Sequence, residues 1–330
     1  MKFCTGLPIA MFIHDARQGK PRSIEKVARG VEELGFWGIT VPHHVLYHGM
    51  SILGHEGAQV PQWRYPDPIA MLAYLAAVTT TVRLIPRVIV VPWRRPFELA
   101  HGLASVDSLS GGRLVFCPAP GGEPKEFGPM GVPMSQRGRI TDEYLEIMYR
   151  LWAEPKVTFH GRYHSFEDVS LLVKPVQQPR PLVWVGGSSQ AALRRAVRMG
   201  DGWTPTCYAY PYVPGATRGA VSTGHLREDI AWSSAERRLL GKPPLEYAVS
   251  SAPPLKFLDR PRHARRRALA EIEYFTCEGT PDELLDEFQA YREAGATSFV
   301  VNFWGETPEE FLQSAGTFAK RIMPALSKGT

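Results

Sequence analysis

Strand-like and helix-like segments alternate from one end of this 330-residue chain to the other, and that rhythm restricts the fold more than any other feature. Lys2 to Pro8 reads as a short strand. Ser23 can cap a helix whose apolar positions Ile24, Val27, Val31 and Leu34 follow helical spacing and stop at Gly35. Gly38 to Val41 is a strand and Pro68 to Thr80 an Ala- and Leu-rich helix. Val82 to Val91 is β-branched and apolar, as a parallel strand buried on both faces should be. Pro96 to Leu109 is helix and Leu114 to Cys117 strand. The rhythm continues with helix Thr141 to Ala153, strand Leu182 to Val185 and helix Gln190 to Met199. Weaker strands follow at Gly202 to Pro205 and Glu246 to Ser250, then a clear one at Ser298 to Asn302. Thr280-Pro281-Asp282-Glu283 and Thr307-Pro308-Glu309-Glu310 each combine a Thr cap, Pro at the first helical position and a Glu placed for a capping box.

About eight strand–helix units without a change of composition predict an α/β fold, a closed parallel (β/α)₈ TIM barrel. A doubly wound sheet is the competing architecture, but no GxGxxG opens a helix after the first strand. The long connections Leu46–Pro66, Pro118–Gln136 and Cys207–Ser233 all follow strands, which makes them insertions at the C-terminal face, where barrels build active sites. One of them, Cys207 to Gly215, is aromatic and Pro-rich, and reads equally as a surface loop or as a wall over a substrate.

Composition excludes several classes of protein. With 44% apolar and 22% charged residues the chain can bury a large core. Pro8 interrupts the apolar start before His14 and Asp15, so no signal peptide is expected, and no apolar run nears the roughly 18 residues of a spanning helix. A cytoplasmic protein without membrane partners is the expectation. The net charge of +5 is mild and implies no nucleic acid. The basic run Arg260 to Arg267 reads as a solvated face, with docking of an anionic cofactor tail as the sharper alternative. Cys4, Cys117, Cys207 and Cys277 lack metal spacing and read as reduced thiols.

Three local motifs can carry chemistry. In Val183-Trp184-Val185-Gly186-Gly187-Ser188-Ser189 a strand runs into two glycines and two hydroxyls ahead of a helix. Unpaired amides and the helix dipole favour an anion there, and glycine lets a phosphate oxygen approach the backbone. An ordinary tight turn with a Ser cap would look similar. Val41-Pro42-His43-His44-Val45 puts histidine at a strand end, able to titrate near neutrality. A metal site with His48 and His55 lacks matching ligands at other strand ends, so none is expected. Ser110-Gly111-Gly112-Arg113 lies at a helix C-terminus on the opposite face and reads as structural. No GxSxG elbow, Walker loop, HExxH or paired strand-end carboxylates are present.

In order along the chain stand VPHHV, LAAVTTTVRL, VVPWRRPFELA, ASVDSLSGGRLVF, EFGPMGVPMSQRGRITDEYLEIMYRLW, FHGRYHSFEDV, KPVQQPRPLVWVGGSSQAALRRA and GDGW. Together they resemble the luciferase-like flavin-dependent oxidoreductases over nearly the whole chain, most closely the branch using the deazaflavin coenzyme F420, with FMN-using relatives sharing much of the pattern. The resemblance implies one barrel domain over 1–330, a small-molecule substrate and a homodimer. It places His44 beside the redox ring as proton donor, acceptor or substrate contact. Gly186, Gly187 and Ser188 match the cradle for the cofactor phosphate. Arg87-Val88 matches the place where relatives often carry a non-proline cis peptide beneath the ring, and Gly121 stays from a glycine-rich strand end.

Two departures fall at strand ends near the ring. Leu84-Ile85-Pro86-Arg87-Val88 replaces LGTGV, and Cys117-Pro118-Ala119-Pro120-Gly121-Gly122 replaces GVGVGW. Arg87 adds a charge suited to an anionic reduced cofactor or to an acidic substrate. Three functions follow from the resemblance: hydride transfer with F420, oxygenation with reduced FMN, or a non-catalytic paralogue whose cofactor pocket is lost.

Overall fold

The computed structural model describes residues 1–8, 22–46, 66–205, 221–261, 275 and 277–327. Eight strands each precede a helix. They are β1 (Lys2–Gly6), α1 (Arg22–Glu33), β2 (Gly38–Val41), α2 (Pro68–Val78), β3 (Arg83–Pro86), α3 (Pro96–Leu109), β4 (Val115–Phe116) and α4 (Arg137–Ala153). The second half comprises β5 (Leu182–Gly186), α5 (Gln190–Met199), β6 (Gly202–Thr204), α6 (Thr223–Leu239), β7 (Glu246–Phe257), α7 (Pro281–Glu293), β8 (Ser298–Phe303) and α8 (Pro308–Arg321).

The strands pair in the order β3-β2-β1-β8-β7-β6-β5-β4, all parallel. A single parallel bridge, Leu84 to Leu114, joins the two ends of that path, so the sheet closes on itself in sequence order. This is the expected (β/α)₈ barrel. One apolar cluster fills its interior: Cys4, Ile85, Val115, Cys117, Trp184, Ala248 and Val300. The larger cluster lies between the strands' outer faces and the helices.

Several expected boundaries shift, each for a physical reason. The apolar run Val82 to Val91 is not one strand. It breaks after Pro86 at a cis Arg87–Val88 peptide, resumes as Ile89–Val90 and ends in a 3₁₀ turn, Val91–Trp93. Ile89–Val90 pairs with Pro118–Ala119 instead, a short ladder above the barrel rim. Helix α4 starts a turn before Thr141, at Arg137. Helix α1 already includes Arg22, which puts Ser23 inside its first turn.

Helix α6 and an antiparallel hairpin, Val157–His160 with Ser165–Val169, carry no advance signal. The connection expected over Cys207–Ser233 therefore ends at Ser222, whose hydroxyl caps α6 by accepting from the His225 amide. In the hairpin, Glu143 accepts from the amides of Arg162, Tyr163 and His164, which fixes the turn of the FHGRYH segment.

The two Thr-Pro helix starts differ. Thr280 and Glu283 form the complete reciprocal box. Thr307 caps Glu310, but the Glu310 carboxylate turns back one residue further, to the Glu306 amide, so only half of that box forms. The Ser-Gly-Gly-Arg turn is structural as expected. Gly111 and Gly112 adopt positive φ, and the buried Arg113 guanidinium donates to the carbonyls of Ala76, Thr79, Val82 and Ser110 and to the Thr79 hydroxyl. That one side chain satisfies the carbonyls at the end of α2, which otherwise lack partners.

Candidate functional site

The C-terminal ends of the strands form the mouth of the barrel, and the residues singled out in the sequence converge there by topology. Strand β2 delivers Pro42-His43-His44, β3 delivers Arg87-Val88, β5 delivers Gly186-Gly187-Ser188 and the segment after β4 delivers Gly121.

The two histidines have different environments. His43 is buried, and its Nδ1 accepts from the Val90 amide at 3.0 Å while its ring stands edge-on to Trp93. Burial, with the Arg94 charge adding to it, pulls its pKa down to about 4. His43 is therefore a neutral structural tie between β2 and the short ladder above the rim. His44 is 30% exposed, and its Nδ1 meets Glu126 Oε2 at 3.3 Å. Glu126 is 2% exposed and also receives the amides of Val45 and Leu46. Burial raises the Glu126 pKa, but the His44 hydrogen bond and charge with those two amides outweigh it, and the carboxyl lies below its ordinary range. A buried carboxylate that accepts from Nδ1 fixes the imidazole's tautomer and orientation.

Glu126 escaped the sequence reading. It lies in the short helix Pro124–Phe127 within the long connection after β4, 82 residues from its partner. Only the EFGPMG motif marked the position, without a role.

The phosphate-cradle candidates divide. Gly186 is buried, and a Cβ there would overlap Val88 Cγ1 and touch Ala119 Cβ, so its missing side chain makes room for protein. Gly187 is exposed with φ +113°, and its carbonyl accepts from Trp203 Nε1 at 2.7 Å. Ser188 follows half-buried, and Ser189 caps α5 by accepting from the Ala192 amide. The turn thus presents main chain at the N-terminus of a ten-residue helix.

The Arg87–Val88 peptide is cis, at the position the sequence pattern indicated. Val88 packs over Gly186, whereas Arg87 Nε reaches Thr204 Oγ1 at the end of β6, at 3.3 Å. Pro118 and Ala119 are buried in the ladder with Ile89 and Val90. Gly121 turns with φ +80°, where a Cβ would lie 2.7 Å from Val90 Cγ1 and 2.9 Å from Phe127 Cζ, and its carbonyl accepts from Arg137 Nε.

Cys4, Cys117 and Cys277 are buried and unpaired. His48, His55, Cys207, the aromatic segment to Gly215 and positions 262–267 of the basic run lie outside the described residues. A cavity of about 430 Å³ opens elsewhere, among Asp142, Glu143, Glu146, His160, Arg198 and Met199, with no end of a barrel strand in its lining. Among the described residues no helix is long and apolar enough to cross a membrane.

Comparison with known proteins gives a consistent picture. Residues 1–234 match the luciferase-like monooxygenase family. The FMNH2-dependent dimethylsulfone monooxygenase of Pseudomonas putida is 33% identical over 130 residues, which are 38% of this chain and 36% of that one. The chain therefore spans only about a third of that relative's length in the match. Monooxygenase RslO1 from Streptomyces bottropensis superposes with a TM-score of 0.76 at 23% identity, over 98% of this chain and 99% of its own. An F420-dependent secondary alcohol dehydrogenase gives 0.72 at 17% identity, over 99% of each.

Proposed function

Because the chain belongs to the luciferase-like monooxygenase family, we propose that it is an oxidoreductase transferring a hydride between coenzyme F420 and a small organic substrate at the barrel mouth. The His44–Glu126 pair carries this reading. Hydride transfer to or from a carbonyl or alcohol needs a proton moved at the same place, and the His44 imidazole, oriented by Glu126, is the group placed for it.

The residues present fit a phosphorylated ring cofactor. Gly187 is exposed and carries no Cβ; its amide donates to the Thr204 carbonyl and its carbonyl accepts from Trp203, so what it offers a phosphate is close approach to the start of α5. Ser188 and the first turn of α5, reached past Gly187, would hold that anion, and the main chain of Arg87-Val88 with Gly121 would border the ring. Gly186 contributes by letting Val88 settle against β5. Bound there, the deazaflavin supplies two-electron hydride chemistry. His44 holds the proton, Glu126 orients its ring, and the strand ends position the substrate.

A second reading, oxygenation with reduced FMN, is favoured by the similarity to the FMNH2-dependent enzyme of Pseudomonas putida. Fluorescence quenching with purified protein and each cofactor separates the two. Submicromolar binding of F420 with weak FMN binding is expected. The reverse order moves the assignment to a monooxygenase, and binding of neither leaves a barrel without this chemistry.

A further inference from the structure

The Arg87 side chain is charged, placed at the mouth and unused by the reading above. Its neighbour two residues back, Ile85, packs inside the barrel, and alternation along a strand directs residue 87 to the same interior. The contact with Thr204 confirms that direction, since Nε crosses from β3 to β6. Thr204 is 2% exposed, and the neighbouring β7 strand contributes the fully buried Ser250. Burial dominates the thiols of Cys4 and Cys117 beneath and raises both, Cys117 to about 12, while the Arg87 charge acts against that at each.

Other buried or half-buried arginines have well-defined partners. Arg195 pairs with Asp142, Arg180 with Asp201, and Arg113 and Arg237 with several carbonyls. Arg87 differs. Among the described residues its guanidinium makes the one hydrogen bond to Thr204 and has no carboxylate within ion-pairing distance. Its terminal nitrogens keep four N–H donors in a fork that matches two oxygens of a carboxylate or sulfonate. A half-desolvated guanidinium is costly unless an anion completes it.

We propose that Arg87, with Thr204, binds the anionic headgroup of the substrate, so that the enzyme acts on an organic carboxylate or sulfonate and discriminates against its neutral analogues. The inference rests on the oxidoreductase reading for its chemistry, but the anion site can be measured without turnover. The same fork could instead face negative charge on the reduced cofactor, and the experiment separates the two sources.

Wild-type protein, Arg87→Met and Arg87→Lys are titrated calorimetrically at constant ionic strength with acetate, benzoate, benzenesulfonate and the neutral benzamide. Affinities for oxidised and reduced cofactor are measured alongside by fluorescence quenching. The expected result is that an organic anion binds at least tenfold more tightly than benzamide and loses at least tenfold in Arg87→Met. Arg87→Lys should fall between the two, and the cofactor affinities should drop by less than the anion affinity. Equal binding of benzoate and benzamide, or no anion binding, overturns the proposal. So does an Arg87→Met variant that loses reduced-cofactor affinity while keeping anion affinity. If Arg87→Met does not fold, Arg87→Lys still decides, because it keeps the charge and removes the fork. A wild-type protein that binds benzoate but neither cofactor overturns the oxidoreductase reading and leaves the anion site standing.

Discussion

Glu126 Oε2 lies 3.3 Å from His44 Nδ1, which joins the end of β2 to a short helix that follows β4. The carboxylate is buried and its pKa lies below the ordinary 4.5, because the His44 bond and two amides outweigh its burial. A lowered carboxyl pKa contributes stability that is fully present above the ordinary value and is lost as pH falls through the folded one. Glu126→Gln should therefore flatten stability against pH below about 4.5 and cost about 1–3 kcal/mol at pH 7. Urea unfolding of both proteins from pH 3 to pH 7 checks this. If His44 depends on Glu126 for its tautomer, the variant should also change the pH profile of turnover, and an unshifted profile would remove Glu126 from the site.

His43, the adjacent residue, gives a second test of acid sensitivity, with the neutral form favoured in place of the charged one. Its pKa falls from 6.5 to about 4, with burial as the main cause. The neutral form is favoured in the fold, so the stabilisation is complete above pH 6.5 and declines toward pH 4, by up to about 3 kcal/mol. His43→Asn keeps an acceptor for the Val90 amide and should remove that decline. A variant as acid-sensitive as the parent between those values would refute the assignment.

Gly186 and Val88 should behave as a coupled pair. Gly186→Ala places a methyl on Val88 Cγ1 and is expected to cost about 1–3 kcal/mol, the range for overpacking. Val88→Ala in the same chain should recover most of the loss. Additive losses in a double-mutant cycle would contradict the close packing.

Gly187 bears on phosphate instead. Its φ of +113° strains any side chain, so Gly187→Ala should weaken binding of a phosphorylated cofactor. The gain in affinity of FMN over riboflavin measures the phosphate contribution, and it should shrink about tenfold in the variant. An unchanged ratio places the phosphate elsewhere.

Arg113→Met tests the helix terminus that the Ser-Gly-Gly-Arg turn holds. It strands four carbonyls that Arg113 now satisfies, and a loss of about 3 kcal/mol or more is expected by denaturant unfolding. A loss under 1 kcal/mol would mean that water replaces the guanidinium.

What was legible in the sequence is what local spacing encodes. Strand Gly38–Val41 and helices Pro96–Leu109 and Gln190–Met199 have the boundaries that pattern alone predicts. Helix α6 shows why pattern can fail. Beside Leu226 its buried face carries Thr223, Asp229, Ser233 and Arg237, so no apolar stripe announces it. Gln190 Nε2 donates to Asp229, Ser233 pairs with the Tyr247 hydroxyl, and Arg237 donates to the carbonyls of Val197, Gly200 and Pro243. Each of those partners arrives from outside the helix.

The sequence by itself determined the parallel barrel, the motif-bearing strand ends and the family pattern, because periodicity, caps and turns act over a few residues. The tertiary structure decided which of two adjacent histidines is buried and tied to Val90 and which meets Glu126. It also decided that Gly186 makes room for Val88 while Gly187 is exposed, and that Arg87 crosses to Thr204. Those outcomes depend on desolvation and on contacts between residues tens of positions apart, and such contacts exist only once the barrel has closed.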